Sequence, residues 1–243
     1  MSETAPGAGR SIWTRPLTIA SVVLLILVVA AGIGVAITAG AGGEPVSTAT
    51  PGTPASSSSD SACDLPAGDQ SVPTTEAPEA EWELVDRIAA PTAAGIGPGV
   101  IADDGLRSCF AHSPLGALFA ATNYYAQGSS PELALRNAEE HVAPGAGRDA
   151  VVAAIRSSAA NGTIGGNPDV SVQFAGFQFL EYEPGRAVID IAGRNSNGGV
   201  ASFVTELVWV DGDWKLVVQD NGQPAVPSRQ IPNLAGYVSW SGA

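Results

Sequence analysis

The sequence predicts an α+β protein in which helices pack on a curved antiparallel sheet, preceded by an N-terminal transmembrane helix and a flexible stalk. Three observations predict it. An uncharged apolar run lies near the start, helical apolar spacing fills the stretch from about 113 to 160, and after Gly166 the apolar spacing changes to two.

The run from Leu17 to Thr38 reads LTIASVVLLILVVAAGIGVAIT and carries no charge. At 1.5 Å per residue it just spans a hydrocarbon core of about 30 Å. Arg10 and Arg15 precede it, and no Lys or Arg follows until Arg87. Positive residues are retained on the cytoplasmic side, so residues 1–16 form a cytoplasmic tail and everything after 38 is exported. The competing reading is a cleaved signal peptide, because Ala39-Gly40-Ala41 resembles a processing site, but the apolar run exceeds the usual 7 to 15 residues. Cys63 sits too far beyond the run for a lipoprotein. Gly32, Gly34 and Ala36 are small enough to let another helix approach closely, although lone small residues are common in such segments.

Residues 39–80 are mostly Gly, Ser, Thr, Pro, Ala and acids, with serine at each of 56–59, and offer almost nothing large and apolar to bury. They read as a stalk. The two cysteines, Cys63 and Cys109, are most simply one disulfide in an exported chain. Counting both cysteines it closes a loop of 47 residues, stabilising the fold by about 4 kcal/mol if it acts through chain entropy. Zinc needs three or four ligands, and beyond Cys109 and His112 only His141 is available among the histidines. A Cys109 nucleophile with His112 as base would need a free thiol.

The outer domain, 81–243, opens with helices. Ser113-Pro114 is a capping hydroxyl before a first-turn proline, and Leu115, Leu118, Phe119 and Tyr125 follow at helical spacing, with Thr122 on the same stripe, until Gly128. This helix carries the bulkiest apolar residues and is the one expected to be buried. Ser130-Pro131-Glu132 repeats the start signal for a helix to about Val142, and Val151, Val152, Ile155 and Ala159 mark a third from about Arg148, ended by Asn161-Gly162. Val170, Val172 and Phe174 then alternate, Ala175-Gly176 breaks the phase, and Phe177 and Phe179 resume it, the pattern of a bulge that bends a strand. Ala187, Ile189 and Ile191 make a second strand. Phe203, Thr205, Leu207 and Trp209 make a third, and Asp211-Gly212-Asp213 turns into a fourth from Trp214 to Gln219. Pro224, Pro227 and Pro232 argue against long elements beyond Asp220, although Tyr237 and Trp240 are available to pack on the body.

Charge excludes one class of partner. The chain has 24 Asp plus Glu against 11 Lys plus Arg, and setting aside Glu3, Arg10 and Arg15 leaves 23 against 9 beyond the membrane. Such a surface repels phosphate backbones, so no direct nucleic-acid binding is expected.

Helices covered by a curved sheet, in this order and size, look like the nuclear transport factor 2-like cone. The stretch Cys109-Phe110-Ala111-His112-Ser113-Pro114-Leu115-Gly116-Ala117-Leu118-Phe119-Ala120-Ala121, preceded by Trp82 and by Gly97-Pro98, resembles a family of actinobacterial single-pass membrane proteins of unassigned function, associated with integrative and conjugative elements. The layout is also similar to the bitopic scaffold subunits of type IV secretion machines. The resemblance implies a non-enzymatic part of a DNA-transfer apparatus that contacts other membrane subunits, itself among the candidates. It implies no catalytic residue, no cofactor and no metal. Trp82, Pro98, Phe110, His112, Pro114, Gly116 and Ala117 are then structural: His112 before the cap at Ser113 hydrogen-bonds backbone, and Phe110 with Ala117 or Leu118 forms a hydrophobic staple.

An enzyme would use Asp190, Glu206 or His112 as acid or base inside the cone. Asp190 falls opposite Ala187, Ile189 and Ile191, and Glu206 alternates away from Phe203 and Leu207, so both are expected on a wet sheet face. Gly95, Gly97 and Gly99 read as loop. The alternative to a scaffold is a domain that holds a small hydrophobic ligand in the cone, and a deep apolar pocket is the feature that would favour it.

Overall fold

The first elements were not anticipated by helical or alternating spacing. In the computed structural model, which describes residues 64–164 and 172–242, the chain from 64 to 80 forms no helix or strand and lies on the body. Gln70 reaches the backbone of His112, and Tyr182 reaches Gln70. The transmembrane run Leu17 to Thr38, the first part of the stalk and Cys63 lie outside the described residues. Among the described residues no helix is long and apolar enough to cross a membrane.

Strand β1 (Glu81–Val85) turns at Asp86-Arg87 into β2 (Ile88–Thr92), with Val85 opposite Ile88. Asp86 takes φ +53°, the left-handed conformation that a two-residue hairpin demands. A second small ladder pairs β3 (Val100–Ile101) with β4 (Arg107–Ser108). Between the two ladders the Gly97–Pro98 peptide is cis. Gly97 has φ +129°, and a Cβ there would lie 2.6 Å from the Phe110 ring, so this position accepts only glycine.

Helix α1 (Pro114–Ser129) starts as expected, with the Ser113 hydroxyl accepting from the Gly116 N–H at 3.1 Å. It is buried on nearly every side, from Gly116 through Gln127, which is why its stripe includes small and polar residues. A helix surrounded by protein has no wet face to mark. Most of its polar groups are engaged: Thr122 donates to the Leu118 carbonyl at 2.9 Å and Asn123 to that of Pro91 at 2.9 Å, while Asn123 Oδ1 is buried without a partner among the described residues. Gly116 cannot carry a side chain, because a Cβ would sit 1.8 Å from the Ala111 carbonyl oxygen. Helix α2 runs from Ala134 to His141, starting later than the Ser130-Pro131 signal because residues 131–133 form turns. Helix α3 spans Ala146–Ala160 and buries only a narrow stripe that includes Ile155.

The meander is β5 (Val172–Glu183), β6 (Arg186–Asn195), β7 (Val200–Val210) and β8 (Asp213–Leu216), all paired antiparallel. The register slips between Phe174 and Gly176, where the broken alternation places a bulge, and again between Phe179 and Glu181. Two bulges on one strand bend it strongly and curl the sheet over the helices. Phe177, Ala187, Ile189, Ile191 and Leu207 are wholly buried against α1 residues such as Leu118 and Phe119. β8 is shorter than its alternation suggested: after Leu216 the chain leaves the ladder, while Leu216 itself forms a parallel bridge with Val142.

The last segment binds both margins of the sheet. β9 (Arg229–Ile231) pairs with β7 at Val200–Ser202, and β10 (Val238–Ser239) pairs with β5 at Phe177 and Gly176. Residues 232–237 therefore cross β6 on the face away from the helices, as a strap. Trp240 then packs against Phe119, Phe177 and Trp82, and its indole N–H donates to the Pro78 carbonyl at 3.0 Å.

Candidate functional site

The residues of the 109–121 motif converge on one buried carboxylate. Asp213, 4% exposed, uses Oδ2 to accept from the Cys109 N–H at 2.9 Å and the Tyr124 hydroxyl at 3.2 Å. Its Oδ1 accepts from the N–H groups of Phe110 at 3.0 Å and Trp214 at 2.9 Å. Burial pushes this carboxyl above the usual carboxylate range, opposed by Lys215 and by the three N–H donors. Cys109 is held here at φ +68°. In sequence, Asp213 announces only a turn; nothing local links it to residues a hundred positions earlier.

The neighbouring motif residues are engaged in the same way. The Trp214 indole donates to the Ala111 carbonyl at 3.0 Å. The His112 ring stacks on Trp209 at 4.1 Å between centroids, and its Nε2 donates to the Pro184 carbonyl, the backbone bond expected of it. Phe110 meets Tyr124 edge-on at 5.6 Å. Trp82 packs on Trp240 at 4.8 Å, Pro98 sits in the cis peptide beneath Phe110, and Pro114, Gly116 and Ala117 form the buried first turn of α1. Cys109 is buried and no described cysteine is a free thiol. Its expected partner Cys63 lies outside the described residues.

His141 is enclosed. It stacks on Tyr124 at 4.1 Å, and Asn137 Oδ1 faces its Nδ1 at 3.0 Å. Burial, with help from Lys215 and Arg136, pulls its pKa down to about 3, so the ring is neutral. Among the described residues no group of His, Cys, Asp and Glu is placed to hold a metal.

Asp190 requires a correction. It lies opposite Ile189 and Ile191 as the alternation predicts, but that face is not wet: the strap covers it and leaves Asp190 1% exposed. Its Oδ2 accepts from the Tyr237 hydroxyl at 2.7 Å and Arg229 Nη2 at 2.9 Å, with Ser202 Oγ at 3.5 Å. Oδ1 is buried without a partner among the described residues. Period-two reasoning assigns a face and cannot see a strap that arrives forty residues later. Glu206 is half-buried and accepts from Arg186 at 2.7 Å. Neither carboxylate shares a site with His112.

An opening of about 600 Å³ lies between Phe174, Arg194, Leu234 and Trp240 and has partly polar walls. Two more remain to be weighed. A crevice of about 250 Å³ lies at the β7 margin between β8 and β9, walled by Val188, Val204, Val218 and Val226. The hydroxyls of Tyr125 and Thr205 meet at 2.7 Å in its lining, and burial raises Tyr125 to about 12. The second, about 440 Å³, lies between the β1–β2 turn, the β3–β4 ladder and the start of α2. Leu84 and Ile101 line it, 72% and 53% exposed, beside Val100 at 44%. Arg107 lines it too. Its side chain is 8% exposed and its Nη2 donates to Glu83 at 2.6 Å, while Nη1 is buried without an acceptor among the described residues. Gln127 fixes the Arg107 backbone from α1, accepting its N–H and donating to its carbonyl at 3.1 Å. Sequence reading had no signal for this cleft, since Leu84, Ile101 and Arg107 come from separate short elements.

A family profile, domain of unknown function (DUF8175), matches residues 44–239. No curated protein and no solved structure matches the chain.

Proposed function

We propose, from the premise that this chain belongs to the DUF8175 family, that it is a non-enzymatic scaffold or interaction subunit. Leu17 to Thr38 anchor it in the cell membrane, the N-terminus is cytoplasmic, and the α+β domain works outside as a nuclear transport factor 2-like cone. Its setting is a conjugative, type IV secretion-like DNA-transfer apparatus, and its partners are other membrane subunits. No cofactor enters the reading.

The observation that carries this reading is the pair Leu84 and Ile101, both exposed and lining one cleft. Large apolar side chains gathered on a surface are a cost in a monomer and an asset at an interface. A second support is that Asp213 and His112, two groups able to do acid–base work, spend their capacity on fixed structural bonds, while His141 is enclosed with its Nε2 unpartnered among the described residues. The apolar crevice at Tyr125 favours the second reading, a small hydrophobic ligand, but its 250 Å³ falls below the roughly 300 Å³ at which small-molecule pockets begin. The opening of about 600 Å³ beside Trp240 clears that size but has partly polar walls open to solvent. Copurification of the membrane-extracted full chain tests the two. Conjugation subunits recovered in stoichiometric amount support the scaffold; a monomer carrying only a bound small molecule defeats it.

A further inference from the structure

We propose that the cleft between the two small ladders and α2 is the docking surface for an extended segment of a partner subunit that alternates apolar with cationic side chains. The inference rests on the scaffold reading and names the chemistry of its partner.

Three features select that occupant. The first is an open strand edge. Among the described residues β1 pairs only with β2. Val85 opposite Ile88 closes the hairpin, so alternation directs the backbone N–H and C=O of Glu83 toward β2 and those of Trp82 and Leu84 outward. The outward N–H of Ala89 on the other strand is met by the Gln173 side chain at 2.9 Å, which confirms the phase. An added strand would meet its hydrogen bonds at Leu84, where the most exposed apolar side chain also stands.

The second feature is charge. Glu81 and Glu83 project from β1, and Asp86, Asp104 and Glu132 rim the cleft. Arg136 pairs with Asp104 at 2.6 Å and Arg87 with Asp86 at 3.3 Å, while Glu132 has no ion pair among the described residues. An acidic rim around an apolar floor favours cationic side chains flanking an apolar one and discriminates against acidic segments. The third is the Arg107 guanidinium. Its unmatched Nη1 asks for one more acceptor, and the carbonyls of an extended backbone supply acceptors at a regular spacing. A free anion fits less well, because Glu83 already occupies the neighbouring Nη2.

The test places a photo-crosslinking phenylalanine derivative at Leu84 of the full chain in its own membranes, with Leu180, exposed on β5, as the control position. The expected product is a heterologous adduct from 84 and not from 180. It maps to a partner segment with Lys or Arg beside an aliphatic residue, and falls at least fivefold in the doubly substituted L84S/I101S chain. Both substituted residues are exposed, so melting should be unchanged and a lost adduct reads as lost docking. An adduct to a second copy, to an acidic segment, or equal yields at 84 and 180 overturn the assignment. If partners still copurify with L84S/I101S as with the parent chain, the docking surface is wrong and the scaffold reading stands. If the parent chain brings down no partner, both fall.

Discussion

Two buried aspartates divide this domain into a fixed half and a detachable half. Asp213 and Asp190 are both nearly inaccessible, at 4% and 1% exposure. Asp213 is met by three backbone N–H groups and one hydroxyl that is itself buried. The three N–H groups have no other acceptor among the described residues, while the Tyr124 hydroxyl also reaches the Trp214 carbonyl at 2.9 Å. The carboxylate therefore locks the 109–116 loop, α1 and β8 together. Asp190 is met by side chains on the strap. Arg229 is 62% exposed and Tyr237 sits at the rim, so both exchange the carboxylate for water at modest cost when the strap leaves. The same residue type at the same depth therefore welds in one place and latches in the other.

Replacing each aspartate is the most direct way to break that contrast. Asp213→Ala should cost about 3 to 5 kcal/mol in urea unfolding, because several buried donors lose their acceptor at once. A loss under about 1 kcal/mol would remove Asp213 from the centre of the hub. The hub also sets the acid response. His141 is neutral when folded, with a pKa of about 3 against 6.5 in an open chain. Between those values the unfolded chain binds more protons, so stability falls as pH drops from about 6.5 to about 3, at up to roughly 1.4 kcal/mol per pH unit. Asp213, raised by burial, contributes with the opposite sign from about its model-compound range upward, which makes the acid limb shallower. Thermal melts across pH should show the limb, and His141→Gln should flatten it.

Asp190→Ala should cost less, about 1 to 2 kcal/mol, because its partners rehydrate. Its signature should be faster proteolysis within 229–240 while the hub stays intact. A loss equal to that of Asp213→Ala would erase the distinction between weld and latch. Tyr237→Phe, which removes one bond to Asp190, should cost about 1 kcal/mol or less, read as a small shift in melting temperature.

The layering was legible because it depends on local periodicity. Ser113-Pro114 begins a helix wherever it stands, and the phase break at Ala175-Gly176 marks a bulge without reference to any partner. The α+β arrangement followed from those signals. What remained invisible was contact between distant segments. Gln127 pairs with the Arg107 backbone as a substitute strand, Gln173 bridges β2 to β5, and Asp190 is dry only because the chain's final segment covers it. The β1–β2 hairpin is only five residues a strand, and its exposed Leu84 and Glu83 leave no clear buried face in the pattern. The cleft at Arg107 had no cue, because its lining comes from elements of two to five residues whose patterns are too short to register.

The hydrogen bond from Trp240 to Pro78 joins positions 162 residues apart. It sets the timetable of folding. A nascent chain whose residues 229–240 are still in the ribosome's exit tunnel cannot seat this indole or finish either margin of its sheet. The body closes only after residues 78 and 240 can meet, so the sheet margins are the last part of the domain to be completed.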